Sequence, residues 1–462
     1  MKLKKLISIG LVTAIGLALF AGCNGQDVIE SVTDTSSGTT AGRETAAVSD
    51  AAAEGTQGNE DGGLAVDADL SASLDIQKLS DKQTGVYRDG YVDFSFKLIN
   101  GCIDSDGHDA NIMVSPASVM LALDMTAAGA KGLTLGEMVD LFGGVKDPSA
   151  QISYAAMLMS RLNNAEGVKL NAANSVWINN TVMPEGISKE YYDFIHGKFA
   201  AEADALIFNE EAKNRINDWV KKKTNNMIPG VVDELDPDMA MMLINAICFE
   251  GKWAEQYKDG QVIPEDFTAA DGSTNKVNMM NGISKIYLEN DLATGFIKEY
   301  EGGQYAFVVM LPKDKKQDAG TLLASFDGKT FDEYMKSATD EYTVNTKMPE
   351  FSYDWSRSIV PQLKALGMNT AFSPAADFSG MTDGPYNDLY IGNVLHKTHI
   401  EVDRNGTKAA AVTAVMMYKN MVIIDENKEK DVFCDRPFAY AIVDTTDNTP
   451  IFIGTVNQVK AD

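Results

Sequence analysis

Hydrolysis or group transfer needs a nucleophile with a base beside it, or spaced ligands for a metal ion. This chain offers few candidates: four histidines (His108, His196, His396, His399) and four cysteines (Cys23, Cys102, Cys248, Cys434) in 462 residues. Neither Gly-x-Ser-x-Gly nor His-Glu-x-x-His occurs, so no nucleophile elbow and no zinc-binding helix is predicted. His396 and His399 are close in sequence, but on a strand a spacing of three turns them to opposite faces, which excludes a metal pair. The 22 methionines are scattered, as gap-filling core residues are. The chain is read as a non-enzyme without cofactor or metal.

The unusual pattern lies at 406–417, Gly-Thr-Lys-Ala-Ala-Ala-Val-Thr-Ala-Val-Met-Met. Every second residue (Thr407, Ala409, Ala411, Thr413, Val415, Met417) is small or apolar, which lets the segment enter a sheet as an extra strand with one face buried. Lys408 falls on the opposite face, where a charge is tolerated. An unpaired charge facing inward would carry a large desolvation cost.

The elements that must position this segment follow a long leader. Lys2, Lys4 and Lys5 precede an apolar run from Leu6 to Phe20, so residues 1–22 read as a signal peptide, too short for the roughly 20 apolar residues of a membrane span. The run ends in Leu19-Phe-Ala-Gly-Cys23, which resembles the bacterial lipoprotein cleavage box with Phe20 in place of the usual leucine. Cleavage there makes Cys23 a lipidated first residue, and the protein is expected to be secreted and held by that lipid at the outer face of the cell membrane. Plain secretion is the alternative. Residues 23–78 are rich in Gly, Ser, Thr, Ala, Asp and Glu and read as a flexible acidic tether. The net charge of -26 is not interrupted by a basic cluster, which argues against a nucleic-acid partner.

Residues 79–462 form the folded domain, of the α+β class. Helical spacing covers Tyr87 to Leu98, two stretches between Val114 and Leu141, Tyr191 to Phe199 and Lys213 to Thr224, with a strand from Leu170 to Ile178. From Met239 onward strands prevail: Met241 to Phe249, Tyr305 to Leu311, Val344 to Phe351, Leu389 to Val402, Phe438 to Val443 and Ile451 to Val456. Only Ser358 to Leu366 reads as a helix there. Besides Cys23 the cysteines are odd in number and lack metal-like spacing, so no disulfide framework is expected.

An ordered series of motifs then points to a family. Asn111-Ile-Met-Val-Ser-Pro-Ala-Ser-Val119, Thr126-Ala-Ala-Gly-Ala-Lys-Gly132, Asn174-Ser-Val-Trp177 and Asn245-Ala-Ile-Cys-Phe-Glu-Gly-Lys-Trp253 come first. Val309-Met-Leu-Pro312, Met348-Pro-Glu-Phe351, Leu366-Gly-Met368, Phe378-Ser-Gly380, His396-Lys397, Gly406-Thr-Lys-Ala-Ala-Ala411 and Asp435-Arg-Pro-Phe438 follow. Over residues 85–460 the chain resembles a serpin. The resemblance implies three β-sheets with eight or nine helices and an exposed reactive-centre loop at 406–430. It also implies a monomer whose partner is a target serine protease, trapped covalently as an acyl-enzyme when the cut loop inserts into the main sheet. A non-inhibitory serpin-fold binding protein on the cell surface is the alternative.

By the family's spacing, the hinge comprises Gly406, Thr407, Lys408, Ala409, Ala410, Ala411, Val412 and Thr413. The reactive bond is then Asn420-Met421, within a window that includes Tyr418, Lys419 and Val422. The apolar residues around it favour elastase-, chymotrypsin- or subtilisin-like targets. Ser115, Ser118, Asn245 and His396 match the family's buried shutter cluster beneath the main sheet, and Trp253 matches its upper-sheet tryptophan. One departure stands out: Arg404 occupies the position where the family usually has a glutamate that pins the base of the loop.

Overall fold

The computed structural model describes residues 78–143, 147–384, 389–407 and 428–460. The expected signal peptide, Cys23, the expected tether up to residue 77, the expected hinge residues 408–413 and the expected reactive-bond window Tyr418–Val422 lie outside the described residues.

Helix ends follow their capping chemistry. Helix α1 (Asp81–Asp106) starts with a capping box in which Ser80 accepts the Gln83 amide and the Gln83 side chain accepts the Ser80 amide. Ser115 caps α2 (Pro116–Ala127), with Pro116 in the first turn. After α3 (Gly132–Asp140), Asp147 caps α4 (Pro148–Asn163) and Ser188 caps α5 (Lys189–Phe199). Helix α6 (Glu210–Lys223) carries acids in its first turn and lysines in its last, matching the helix dipole. The short helices α7 (Ala319–Ala324) and α8 (Gly328–Lys336) begin at Asp318 and Asp327, whose side chains accept the Thr321 and Thr330 amides. Helix α9 (Val360–Ala365) is the last.

Three of these findings correct the sequence reading. Helices α7 and α8 interrupt a region expected to hold one helix, because their caps define them better than their brief apolar periodicity does. Helix α4 was not expected at all. The expected helix from Ser358 is shorter, since Phe351–Ser358 is a strand.

Sixteen strands are seen among the described residues. They are β1 (Met113–Val114), β2 (Val168–Asn179), β3 (Glu202–Leu206), β4 (Met241–Lys252), β5 (Val262–Thr268), β6 (Thr274–Ser284), β7 (Tyr287–Glu289) and β8 (Ala293–Glu299). The rest are β9 (Tyr305–Pro312), β10 (Thr343–Pro349), β11 (Phe351–Ser358), β12 (Ile391–Asp403), β13 (Gly406–Thr407), β14 (Glu429–Phe433), β15 (Phe438–Asp444) and β16 (Thr449–Val456). They form three sheets, ordered β1-β16-β15-β9-β8-β7, β14-β10-β6-β5 and β11-β12-β13-β4-β2-β3. With nine α-helices among the described residues, this is the expected α+β architecture. Expected strand 344–351 is divided: β10 and β11 belong to different sheets, and Glu350 is the joint.

The third sheet positions the site. Strand β4 reads as one continuous apolar run because both its faces are covered. Met242, Ile244, Ala246 and Cys248 pack with Ile216 and Val220 of α6, whereas Leu243, Ile247 and Phe249 join the main core with α2. Strands β12 and β4 run parallel and in contact from Ile391/Met241 to His399/Cys248. Above that seam the two-residue strand β13 lies between them, pairing with Val402 and Asp403 on one side and Gly251 and Lys252 on the other.

Candidate functional site

Beneath the seam, four predicted residues meet in one buried network. The Ser115 amide donates to His396 Nε2 at 3.0 Å, and the Ser115 hydroxyl donates to the Ile451 carbonyl at 2.9 Å. With Nε2 accepting, the proton of the neutral ring sits on Nδ1, which donates to Asn245 Oδ1 at 2.5 Å. Asn245 Nδ2 in turn donates to the Ser118 hydroxyl and to Asn174 Oδ1, the latter at 2.9 Å. Burial, which disfavours the imidazolium, pushes the His396 pKa down to about 3. Helix α2 is thereby fastened to β2, β4 and β12 at once. Asn174 was part of a quoted motif but was not foreseen in this cluster; its place on β2 facing Asn245 (register partners) is visible only once the strands are paired.

The top of the seam is built around the base of the loop. Thr407 is buried, and its hydroxyl shares a 2.6 Å hydrogen bond with the Tyr300 hydroxyl. Gly406 must be glycine, since a Cβ there would come within 2.0 Å of the Gly251 carbonyl oxygen. Predicted Trp253 holds the preceding turn from two atoms: its indole N–H donates to the Asp403 carbonyl and its backbone N–H to the Asn405 carbonyl, both at 2.9 Å. Its ring stacks on Tyr300 at 4.6 Å between centroids.

Arg404 finds a carboxylate after all. Its side-chain Nε lies 3.4 Å from Glu350 Oε1, its backbone N–H donates to the same oxygen at 3.2 Å, and Nη1 reaches Asp259 at 3.3 Å. Relative to the family's usual glutamate at this position, the charge on the loop side of the pin is reversed. Glu350 escaped the sequence reading because it is 54 residues away, and only its place at the β10–β11 joint brings it to the hinge.

The other histidines are occupied separately. His108 Nδ1 lies 3.3 Å from the Thr321 hydroxyl, His196 stacks on Tyr192, and His399, on the face of β12 opposite His396, pairs with Asp354 at 2.9 Å. Cys102, Cys248 and Cys434 are buried thiols. What the assembled site can do is mechanical: a seam closed by one polar network, with the start of another strand already seated in its upper end.

Known proteins share this fold. The family model described as serpin (serine protease inhibitor) matches residues 89–459. An uncharacterised serpin-like protein of Thermococcus kodakarensis is 31% identical over 363 residues, 77% of this chain and 82% of its own. Leukocyte elastase inhibitor A of Mus musculus is 29% identical over 369 residues, 75% of this chain and 92% of its own. Among solved structures, the thermophilic serpin tengpin in its native state has a TM-score of 0.74 at 35% identity, covering 83% of this chain and 96% of that one. Tengpin in its latent state gives a TM-score of 0.68. The family match runs from α1 to beyond the last strand, so it is the whole described fold, rather than any one motif, by which this chain belongs to the serpin family.

Proposed function

We propose that the protein inhibits serine proteases by offering its loop at 406–430 as a substrate and inserting the cut loop between β12 and β4. The observation that carries this reading is β13, a two-residue strand lodged at the top of a seam that is otherwise closed. The attacking serine adds to the carbonyl of Asn420 and the amine of Met421 departs, leaving the loop esterified to the enzyme. Insertion then extends β13 downward. About 12 residues at roughly 3.3 Å each carry the ester on the order of 40 Å. The protease is pressed against the far end of the inhibitor, its oxyanion hole is distorted, and deacylation stalls.

The alternation of the hinge supports this outcome. Thr407 is already buried, and by strand alternation Ala409, Ala411, Thr413, Val415 and Met417 follow it inward, where each large apolar side chain contributes roughly 1.5–3 kcal/mol on full burial. Insertion must separate His396 from Asn245 and part the β12–β4 ladder, and these bonds supply a barrier that keeps the uncut form waiting. The apolar setting of the reactive bond favours elastase-, chymotrypsin- or subtilisin-like targets. The leader and Cys23 favour a secreted monomer held at the bacterial surface by its lipid.

Incubation with elastase and with subtilisin tests the reading. A covalent complex that survives boiling in SDS is expected, with the loop cut at Asn420-Met421 or within the window from Tyr418 to Val422. Clean cleavage with no complex for every serine protease tried contradicts inhibition and leaves the fold as a non-inhibitory binding protein.

A further inference from the structure

Three consecutive carbonyls, those of Asp403, Arg404 and Asn405, form the turn through which β12 reverses into β13. All three are held by one short arc: Trp253 takes Asp403 and Asn405, and the Tyr257 backbone N–H donates to Arg404 at 3.0 Å. That arc is gripped from behind by a single side chain on β8. Lys298 Nζ donates to the Glu255 carbonyl at 2.8 Å and stands 4.1 Å from the centre of the Tyr257 ring and 5.4 Å from that of Trp253. The ammonium thus meets the first, third and fifth residues of the arc, two of them through the faces of aromatic rings.

We infer that Lys298 is a positioning residue for loop insertion, clamping the arc 253–257 so that the turn 403–405 serves as a fixed fulcrum for the entering strand. This rests on the insertion mechanism proposed above. A backbone bond also fastens the near end of the arc to β8, from the Ala254 amide to the Glu299 carbonyl at 3.0 Å. At Glu255 and Tyr257 the ammonium takes over that work. Insertion competes with hydrolysis of the acyl-enzyme, so a loose fulcrum lets more loop be cut without trapping the enzyme. The first cleavage, made far along the loop, is unaffected.

The test compares wild type with Lys298→Met, which keeps the stem and removes the charge, and with Lys298→Arg, which restores it. Two measurements are made: the ratio of cleaved inhibitor to SDS-stable complex with elastase, and hydrogen exchange of the peptide spanning 253–257 in the uncut protein. In Lys298→Met the exchange and the ratio are both expected to rise, by about fivefold, with the rate of loop cleavage unchanged and both values recovered in Lys298→Arg. Unchanged exchange in Lys298→Met, faster exchange with an unchanged ratio, or failure of Lys298→Arg to recover overturns the inference. If wild type forms no complex, inhibition itself has failed, and the exchange arm alone decides whether Lys298 clamps the arc.

Discussion

His396 of β12 and Asn245 of β4 are register partners across the seam, and the imidazole Nδ1–H donates to the amide oxygen at 2.5 Å. The bond joins the two strands that the proposed insertion would separate. Because it needs a neutral imidazole with its proton on Nδ1, the seam is linked to pH.

The sign of that link is fixed by burial. The His396 pKa falls from 6.5 to about 3 in the fold, so above pH 6.5 the ring is neutral both folded and unfolded and its contribution is complete. Below 6.5 only the unfolded chain takes up the proton, and stability is lost by roughly 1.4 kcal/mol per pH unit until the folded pKa is reached. Asp124 acts oppositely. Burial raises its carboxyl from 3.8 to about 7, so its penalty is relieved as pH falls from 7 toward 3.8. Denaturant melts of the uncut protein between pH 6.5 and 5 are therefore expected to show a shallow slope in wild type. In Asp124→Asn the slope should steepen, with about 2 kcal/mol lost over that interval, and Asn replacing His396 in that background should flatten it.

Asn245→Ala strands the buried His396 Nδ1–H and leaves Asn174 Oδ1 with only the Ser118 hydroxyl, 3.4 Å away. The uncut protein is expected to lose about 1–3 kcal/mol, read as a lower midpoint in urea. A midpoint equal to wild type would mean that water replaces the amide without loss.

Arg404 and Glu350 are partly exposed, at 38% and 21% of their side-chain surfaces, so solvent screening discounts their attraction. Arg404→Glu alone is expected to destabilise the uncut form by about 1 kcal/mol or less. Combining it with Glu350→Arg should restore most of the loss, and a thermal melt of the four proteins in the cycle measures the coupling.

Thr407 is buried, with its hydroxyl against that of Tyr300. Thr407→Arg places an unpaired charge on the inward face, at a penalty of several kcal/mol. A protease is expected to cut this loop at the wild-type rate and to be released active, with loss of nearly all complex on a gel.

The seam was legible in the sequence where small or polar residues fall within otherwise apolar runs. Ser115, Ser118, Asn245 and His396 interrupt hydrophobic segments, and all four meet. Gly406 and Thr407 begin the bare stretch and take the places that their small size permits. What stayed hidden depended on register between distant segments. Glu350 lies in a motif read for its strand, Tyr300 and Lys298 sit in a region with no marked periodicity, and Asn174 acquires its partners only when β2 is paired with β4. The missed helices α4, α7 and α8 each announce themselves by an aspartate cap, a weaker signal than the apolar spacing by which the other helices were found.

The central claim is that the seam between β12 and β4 accepts the cut loop. Thermal melting of the protein before and after complete loop cleavage by a protease that cuts the loop without being trapped tests it most directly. Insertion predicts that the cleaved protein melts higher by on the order of tens of degrees, because the trapped state has been released to its filled sheet. An unchanged or lower melting temperature after complete cleavage would contradict it.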